Sequence, residues 1–139
     1  MYPFSISVEV IFRDIDSFGH VNNAVYFTYL ETARTKYFRK IKTLAGIDKL
    51  DMVVAQATCN YITPAYIDEK LIVSIGITRL GDKSFDFAYK IQSEKGYNIA
   101  EAKTVQVTYD YKNSKTIKVP EQFKSTVMRL QNGLHFPTN

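Results

Sequence analysis

The fold of this chain is decided between Arg13 and Arg34, where the sequence reads RDIDSFGHVNNAVYFTYLETAR. The first part is rich in Asp, Ser, Gly and Asn, which favour turns because they bond nearby backbone groups or tolerate unusual torsions. The second part carries apolar residues at helical spacing. The stretch therefore predicts a polar loop that leads into a helix N-terminus, with carboxylates and an imidazole close together. If the protein is an enzyme, its catalytic residues are expected in this stretch.

A long helix is expected to begin near Asn22 or Asn23 and to run to about Thr43. An asparagine side chain can accept a hydrogen bond from an unpaired N–H of the first helical turn. Glu31 could pair with Arg34 or with Thr35 along the polar flank of the helix. The apolar stripe is broad enough to cover a sheet, and its members are Tyr26, Phe27, Leu30, Ala33, Tyr37, Phe38 and Ile41.

Alternating apolar and polar residues predict one strand before the loop and four after the helix. Tight turns between the last strands imply antiparallel pairing. Pro120 opens a short C-terminal helix, with Gly133 past its end. The prediction is an α+β fold, with one antiparallel five-stranded sheet wrapped around a long central helix. The predicted strands are Ser5–Phe12, Met52–Ile62, Leu71–Leu80, Ser84–Gln92 and Asn98–Tyr111.

Composition narrows the class of protein. The 139 residues, with 45% hydrophobic content, fit a single domain over residues 1–139. The net charge is +4, but the basic residues are scattered, which is weak support for nucleic-acid binding. The one cysteine, Cys59, excludes an internal disulfide and is expected to be a small core residue. Without a signal sequence or an apolar run of ~20 residues, the expectation is a soluble cytoplasmic protein with no membrane span.

The segment DIDSFGHVNN at 14–23, followed by Tyr26 and by YLETAR at 29–34, resembles the hotdog-fold acyl-CoA thioesterases, specifically the 4-hydroxybenzoyl-CoA thioesterase-like family. YITPA at 61–65, GDKSF at 81–85 and AEA at 100–102 are similar to further landmarks of that family. The resemblance implies a hotdog fold and hydrolysis of a thioester to a free acid and coenzyme A. It implies no metal and no cofactor, coenzyme A being part of the substrate. It also implies a homodimer or homotetramer with active sites at the subunit interface.

By the same resemblance, Asp16 matches the catalytic aspartate, as a general base or as a nucleophile. The backbone N–H of Asn23 matches the donor that polarises the thioester carbonyl, and Gly19 matches the glycine beneath the substrate. His20 either orients the loop or helps to position substrate or water. The residues alone agree, because a helix N-terminus has unpaired N–H groups and a partial positive charge that suit an oxyanion.

Four more residues are candidate substrate contacts. Tyr26 follows Asn23 by about one helical turn and is expected beside the acyl group, with Val21 next to it. Lys83 lies in a hairpin tip with Ser84, and it is either solvated or close to a coenzyme A phosphate.

Other chemistries are less well supported. Asp14 is expected to bond the loop, and Asp14 with Asp16 lacks the further oxygen ligands of a hard-cation site. A Ser-His-Asp triad is not expected, because there is no Gly-x-Ser-x-Gly motif and His135 lies in the tail. Hotdog hydratases resemble Asp-x-Asn-Pro-x-His, which differs from the four-residue spacing of Asp16 and His20.

Two alternatives stay open. HVNN at 20–23 is also similar to plant and bacterial acyl-carrier-protein thioesterases, so the acyl carrier is either coenzyme A or a carrier protein. A non-catalytic acyl-binding protein of the same fold is the alternative from a different class. The acyl group itself is not encoded in any motif of the chain.

Overall fold

The protein, a computed structural model that describes residues 2–132, is built on helix α1 (Val25–Ala45) lying against one antiparallel sheet. The strand order is β1-β3-β4-β5-β2, and β6 pairs with β5. A second helix, α2 (Glu121–Leu130), follows the last strand. The strands are β1 (Phe4–Glu9), β2 (Asp51–Tyr61), β3 (Lys70–Leu80), β4 (Ser84–Ser93), β5 (Asn98–Asp110) and β6 (Lys115–Thr116).

The predicted α+β architecture is confirmed, with one correction in the strand count. The chain turns after β5 and returns as the two-residue strand β6, where Thr116 pairs with Tyr109. The sheet therefore has six strands, and five had been predicted. The expectations for Gly133 and His135 lie outside the described residues.

The core forms between the apolar stripe of α1 and the inner face of the sheet. β4 shows the strongest alternation, because every second side chain points inward and is buried. Phe38 of α1 contacts both Phe85 of β4 and Phe123 of α2, with ring centroids 6.2 and 5.7 Å away. Burial along α1 agrees with the prediction except that Phe27 is partly exposed and Tyr29 is buried. The buried residues of α1 are Tyr26, Tyr29, Leu30, Ala33, Tyr37, Phe38 and Ile41.

Strand β1 ends at Glu9, three residues before the predicted end at Phe12. The Val10 N–H donates to the Glu69 carbonyl at 2.9 Å, and a short 3-10 turn then runs over Phe12–Asp14. Phe12 is consequently 82% exposed and does not face the core. The alternation continues into Phe12 in the sequence, but the turn removes this residue from the sheet.

Helix α1 begins at Val25, slightly later than predicted. The Asn22 side chain does accept a hydrogen bond from a backbone N–H, that of Ala24 at 2.9 Å, but it does so in the turn before the helix. The helix ends at Ala45, two residues after the predicted Thr43, and Gly46 follows in the left-handed conformation at φ 70° with its N–H bonded to the last turn.

Strand β2 is an edge strand, and it differs most from its prediction. A register shift interrupts its pairing with β5 between Val54 and Gln56, and side chains on both faces of the strand are exposed. Ala57 is therefore exposed, and Cys59 is only half-buried. From this half-buried position Cys59 packs against the hydrophobic core, so it lies at the edge of the core and not within it. Val53 and Val54 are 39% and 38% exposed. The edge strand thus presents apolar side chains on a surface that no other part of residues 2–132 covers.

The inner face of β5 is partly polar. The side chains in the phase of Val105, Val107 and Tyr109 are half-buried, whereas the alternate set is buried. The buried set is polar and comprises Thr104, Gln106 and Thr108.

Candidate active site

The loop between β1 and α1 is a tight structure held by its own backbone. The Asp16 N–H donates to the His20 carbonyl at 3.0 Å, and the Gly19 N–H donates to the Asp16 carbonyl at 3.1 Å. Ile15 and Val21 form an antiparallel bridge at the base of this turn. Gly19 has a φ of 88°, which L side chains rarely adopt. These contacts fix Asp16 and His20 side by side at the ends of a five-residue turn.

The carboxylate of Asp16 is engaged on one oxygen and accessible on the other. Its Oδ1 accepts a hydrogen bond of 2.9 Å from the Phe18 N–H. Its Oδ2 lies 4.0 Å from Nδ1 of His20, beyond hydrogen-bond distance, and the side chain is 20% exposed. Nδ1 of His20 is also 3.2 Å from the Val21 carbonyl. The Asp16 Oδ2 is thus placed to accept a proton from water or to attack an electrophile.

One unpaired donor stands at the start of the helix. Among residues 2–132, the Asn23 N–H donates to no acceptor, although the backbone N–H groups on either side of it are all bonded. Their acceptors are the Ala65 carbonyl for Val21, the Asp14 carbonyl for Asn22, the Asn22 side chain for Ala24 and the Asn22 carbonyl for Val25. Such an N–H near a helix N-terminus can bind an oxyanion.

Asp14, in contrast, holds the loop together. Its Oδ2 accepts hydrogen bonds from the Ile11 N–H at 3.1 Å and from the Tyr29 hydroxyl at 2.8 Å. Burial, followed by the hydrogen bond to Asp14, raises the pKa of Tyr29 well above its ordinary value, so this hydroxyl keeps its proton. Asp14 therefore has the structural role expected from the sequence.

A cavity of about 180 Å³ opens between the loop, the start of α1 and the end of β2. Its wall includes the predicted residues His20, Val21, Asn23 and Tyr26; the Tyr26 ring meets that of Tyr61 edge-on at 5.2 Å. Asp16 and Gly19 belong to the adjoining loop. The full lining comprises His20, Val21, Asn23, Tyr26, Tyr61, Ile62, Thr63 and Pro64.

Sequence reasoning assigned no role to the part of this wall that comes from the end of β2. Tyr61, Ile62, Thr63 and Pro64 were noticed only as a landmark of resemblance. That landmark was the available signal, because no local spacing connects these residues to the loop at Asp16.

Lys83 and Ser84 are not brought together with the other predicted residues. Ser84 pairs with Val107, whereas Tyr61 pairs with Ala100, so the β3–β4 hairpin lies at the opposite end of the sheet from the cavity. Within one protomer these two side chains do not line the cavity. Their role in substrate binding stays a prediction.

A separate groove of about 350 Å³ runs between the flank of α1 and the edge strand β2. Arg34 lies in it and donates to the Tyr89 hydroxyl at 3.2 Å, so the predicted Glu31–Arg34 ion pair is not formed. The groove is lined by Phe27, Thr28, Glu31, Arg34, Val54, Ala57 and Thr104.

Two further observations concern residues 2–132 alone. No group of three or more His, Cys, Asp or Glu side chains in this part of the chain is arranged to hold a metal ion. Neither helix in it has the length and apolar character that a bilayer crossing needs.

Comparison with known proteins gives a consistent result. The sequence profile of the thioesterase-like superfamily matches residues 10–127. A putative esterase of Aquifex aeolicus is 28% identical over 127 residues, which cover 86% of this chain and 94% of that protein. The acyl-CoA thioester hydrolase YbgC of Escherichia coli O6:H1 is 27% identical over 121 residues, covering 85% and 90% of the two chains.

The fold is also found among solved structures. A thioesterase from Thermus thermophilus, crystallised with coenzyme A and Zn, superposes with a TM-score of 0.81 at 29% identity, over 93% of this chain and 94% of that one. The profile match spans most of the sheet and all of α1. The chain therefore belongs to the thioesterase-like superfamily and is a hotdog-fold thioester hydrolase.

Proposed function

We propose that this protein hydrolyses an acyl-CoA thioester to a free acid and coenzyme A, with Asp16 as general base or nucleophile. The observation that carries the proposal is the unpaired Asn23 N–H in the same cavity wall as His20, which is the neighbour of the Asp16 carboxylate. The relative named as an acyl-CoA thioester hydrolase and the solved thioesterase holding coenzyme A support the choice of coenzyme A as carrier.

The proposed mechanism begins with the thioester carbonyl accepting a hydrogen bond from the Asn23 N–H. Negative charge develops on that oxygen when the carbonyl carbon is attacked, and the partial positive charge of the helix N-terminus stabilises it. One such donor contributes about 10²- to 10³-fold in rate in known oxyanion holes. Tyr26, buried next to Asn23, forms the apolar wall beside the acyl group.

Two routes from Asp16 lead to the same products. As a general base, Oδ2 takes a proton from water, the hydroxide attacks the carbonyl carbon, and the C–S bond breaks to release the thiolate of coenzyme A. As a nucleophile, Oδ2 attacks the carbonyl carbon itself, expels the thiolate and forms an anhydride that water then hydrolyses. A single turnover in H₂¹⁸O that leaves ¹⁸O in the Asp16 carboxylate identifies the nucleophilic route.

We also propose that the working form is a homodimer, or a homotetramer built from such dimers, joined along β2. The edge of β2 carries unpaired backbone groups and the exposed side chains of Val53 and Val54, and such an edge favours pairing with a second copy. A two-fold axis would make the two β2 strands antiparallel, so the end of the partner remote from its own cavity would approach Tyr61. This is the arrangement in which Lys83 and Ser84 could reach a substrate.

The test is thiol release from a panel of short, medium, long and aromatic acyl-CoAs, with an acyl-carrier-protein thioester included. Wild type is compared with Asp16→Asn and with Asp48→Asn, a control at an exposed acid beyond the far end of α1. Wild type and the control should hydrolyse at least one acyl-CoA, and Asp16→Asn should lose about 10³-fold or more in kcat. Turnover of the carrier-protein thioester alone would reassign the carrier. No turnover of any thioester would favour the non-catalytic alternative.

A further inference from the structure

Tyr61, the last residue of β2, makes a long-range contact with the start of α1. Its hydroxyl donates a hydrogen bond of 2.9 Å to the carbonyl oxygen of Asn23. Its ring packs edge-on against the Tyr26 ring, with centroids 5.2 Å apart, and it lines the cavity. The edge strand and the helix start are therefore joined at the residue proposed to polarise the thioester carbonyl.

This contact completes the anchoring of the backbone around Asn23. The peptide group that follows Asn23 is bonded at both ends, through its carbonyl to Tyr61 and through the Ala24 N–H to the Asn22 side chain at 2.9 Å. The peptide group that precedes Asn23 is held through the Asn22 carbonyl, which accepts from the Val25 N–H at 2.9 Å. Because peptide groups are planar, fixing these two planes fixes the direction of the Asn23 N–H.

The helix does not supply this anchor itself. The residue at the N-cap of α1 is Ala24, whose side chain makes no capping hydrogen bond. An uncapped helix start frays easily, because its first N–H groups lack partners within the helix. Tyr61 and Asn22 take over this function from outside the helix.

We propose that Tyr61 is a positioning residue for thioester hydrolysis, which holds the Asn23 peptide so that its N–H is already aimed at the developing oxyanion. This inference rests on the proposed function. A preorganised donor stabilises the transition state without having to be reoriented during the reaction. Removing the Tyr61 hydroxyl should therefore lower kcat while leaving substrate binding largely unchanged.

The chain offers a matched control in Tyr111, which follows β5 and contacts the other end of β2. Tyr111 is also a partly exposed tyrosine, and its hydroxyl donates to the Met52 carbonyl of β2 at 3.2 Å. Tyr61→Phe and Tyr111→Phe each remove one hydroxyl-to-carbonyl hydrogen bond that involves β2. Only Tyr61→Phe removes a hydrogen bond to the Asn23 backbone. If the Tyr61 hydroxyl has a purely structural role, the two variants should therefore have similar kinetic constants.

The first experiment measures kcat and KM for both variants on the best acyl-CoA of the panel. For Tyr61→Phe we expect kcat to fall about 10-fold with KM within about two-fold of wild type. For Tyr111→Phe both constants should stay within about two-fold of wild type. A Tyr61→Phe kcat equal to that of Tyr111→Phe would overturn the proposal.

A second measurement reads the polarisation of the carbonyl without turnover. In the Asp16→Asn background, a ¹³C-labelled thioester is bound and its carbonyl stretching frequency is recorded by infrared difference spectroscopy. Binding should shift the band to lower frequency, and adding Tyr61→Phe should reduce the shift, whereas adding Tyr111→Phe should not. An undiminished shift with Tyr61→Phe contradicts the inference even if that variant is less stable.

The two proposals fail in different ways. If wild type hydrolyses no thioester, the proposed function is wrong and the positioning role falls with it. If wild type is active and Asp16→Asn is not, but Tyr61→Phe retains full kcat and the full carbonyl shift, only the role of Tyr61 is wrong.

Discussion

Asp14 accepts a hydrogen bond of 2.8 Å from the hydroxyl of Tyr29, which ties the turn before the Asp16 loop to the first turns of α1. The same carboxylate oxygen accepts from the Ile11 N–H, and the Asp14 carbonyl accepts from the Asn22 N–H. Asp14 thus bonds residues on both sides of the loop. Asp14, two residues before Asp16 in the sequence, therefore holds the loop that carries Asp16.

Tyr29→Phe removes the hydroxyl from this arrangement and leaves the Asp14 carboxylate with one partner fewer. We expect the free energy of unfolding to fall by about 1–2 kcal/mol, measured by urea denaturation, because the lost bond has a charged acceptor. Tyr97→Phe, at an exposed tyrosine in the β4–β5 turn, serves as the control and should change stability by less than about 0.5 kcal/mol. If Tyr29→Phe and Tyr97→Phe have the same free energy of unfolding, the hydrogen bond between Tyr29 and Asp14 does not contribute to stability.

Two of the three described glycines with positive φ, Gly19 and Gly46, allow an effect of backbone strain on stability to be separated from an effect on catalysis. Gly19 (φ 88°) lies in the Asp16 loop and Gly46 (φ 70°) ends α1, and a Cβ at either position meets nothing within 4 Å. Gly19→Ala and Gly46→Ala should each destabilise the fold by about 1 kcal/mol, because alanine disfavours positive φ.

Only Gly19→Ala should also lower kcat, since relaxation of its φ would move the Asp16 carboxylate away from the cavity. Thermal melting and steady-state kinetics on the two purified variants check both parts. A kcat loss of the same size in Gly46→Ala would show that activity follows global stability and not the geometry of the loop.

The edge strand gives a prediction about assembly. Val54→Lys places a charge on the apolar edge of β2, and burying an unpaired charge in an interface costs several kcal/mol. We expect the variant to be monomeric by light scattering and to lose most of its activity, while the control Leu44→Lys, at an exposed position near the end of α1, keeps both. A monomeric, active wild type would refute the proposed dimer.

The burial of side chains can be predicted from the sequence for β4 but not for β2. In β4, Phe85, Phe87, Tyr89 and Ile91 alternate without interruption and all face the core, so the local pattern and the tertiary structure agree. In β2 a register shift interrupts the pairing with β5, and the strand lies at the edge of the sheet. Neither feature can be recognised from the periodicity, so the sequence does not predict that Cys59 is only half-buried.

The candidate site likewise has a part that the sequence predicts and a part that it does not. Asp16, His20 and Asn23 lie within one short segment, so turn residues and a helix start suffice to group them. The contacts that hold this group come from Tyr29 and Tyr61, which are 15 and 38 residues from their partners. Hydrogen bonds over such separations depend on how the sheet and helix pack, and no spacing rule predicts them.

Gln131, at the end of α2, provides a test of how the second helix is held. Its side-chain oxygen accepts from the Tyr37 hydroxyl at 2.8 Å and the Ile77 N–H at 2.9 Å, and its nitrogen donates to the Ile77 carbonyl at 2.8 Å. Gln131→Ala should cost about 2–3 kcal/mol of unfolding free energy, because it leaves three buried or half-buried groups without partners. Gln122→Ala, on the exposed face of α2, is the control and should be nearly neutral.

The Tyr37 hydroxyl also predicts how stability depends on pH. Burial raises the pKa of Tyr37 above its ordinary value of about 10, so the folded state favours the protonated phenol. The stabilisation linked to this raised pKa is fully present at pH values below the pKa of Tyr37 in the unfolded chain. It is lost as the pH rises above about 10, where the unfolded chain loses the phenol proton more easily than the folded protein does. At pH 8, Tyr37→Phe should be less stable than wild type by about 1 kcal/mol, since it lacks the bond to Gln131.

Above about pH 10 the unfolded wild type gains from ionising Tyr37, whereas the phenylalanine variant has no such group. The stability difference between the two should therefore shrink between about pH 10 and 11. The other tyrosines with raised pKa values, such as Tyr29 and Tyr89, affect both proteins equally and cancel in the comparison. Urea denaturation of the pair at several pH values measures this directly, and a difference that stays constant up to about pH 11 would show that Tyr37 ionises as easily in the folded protein as in the unfolded chain.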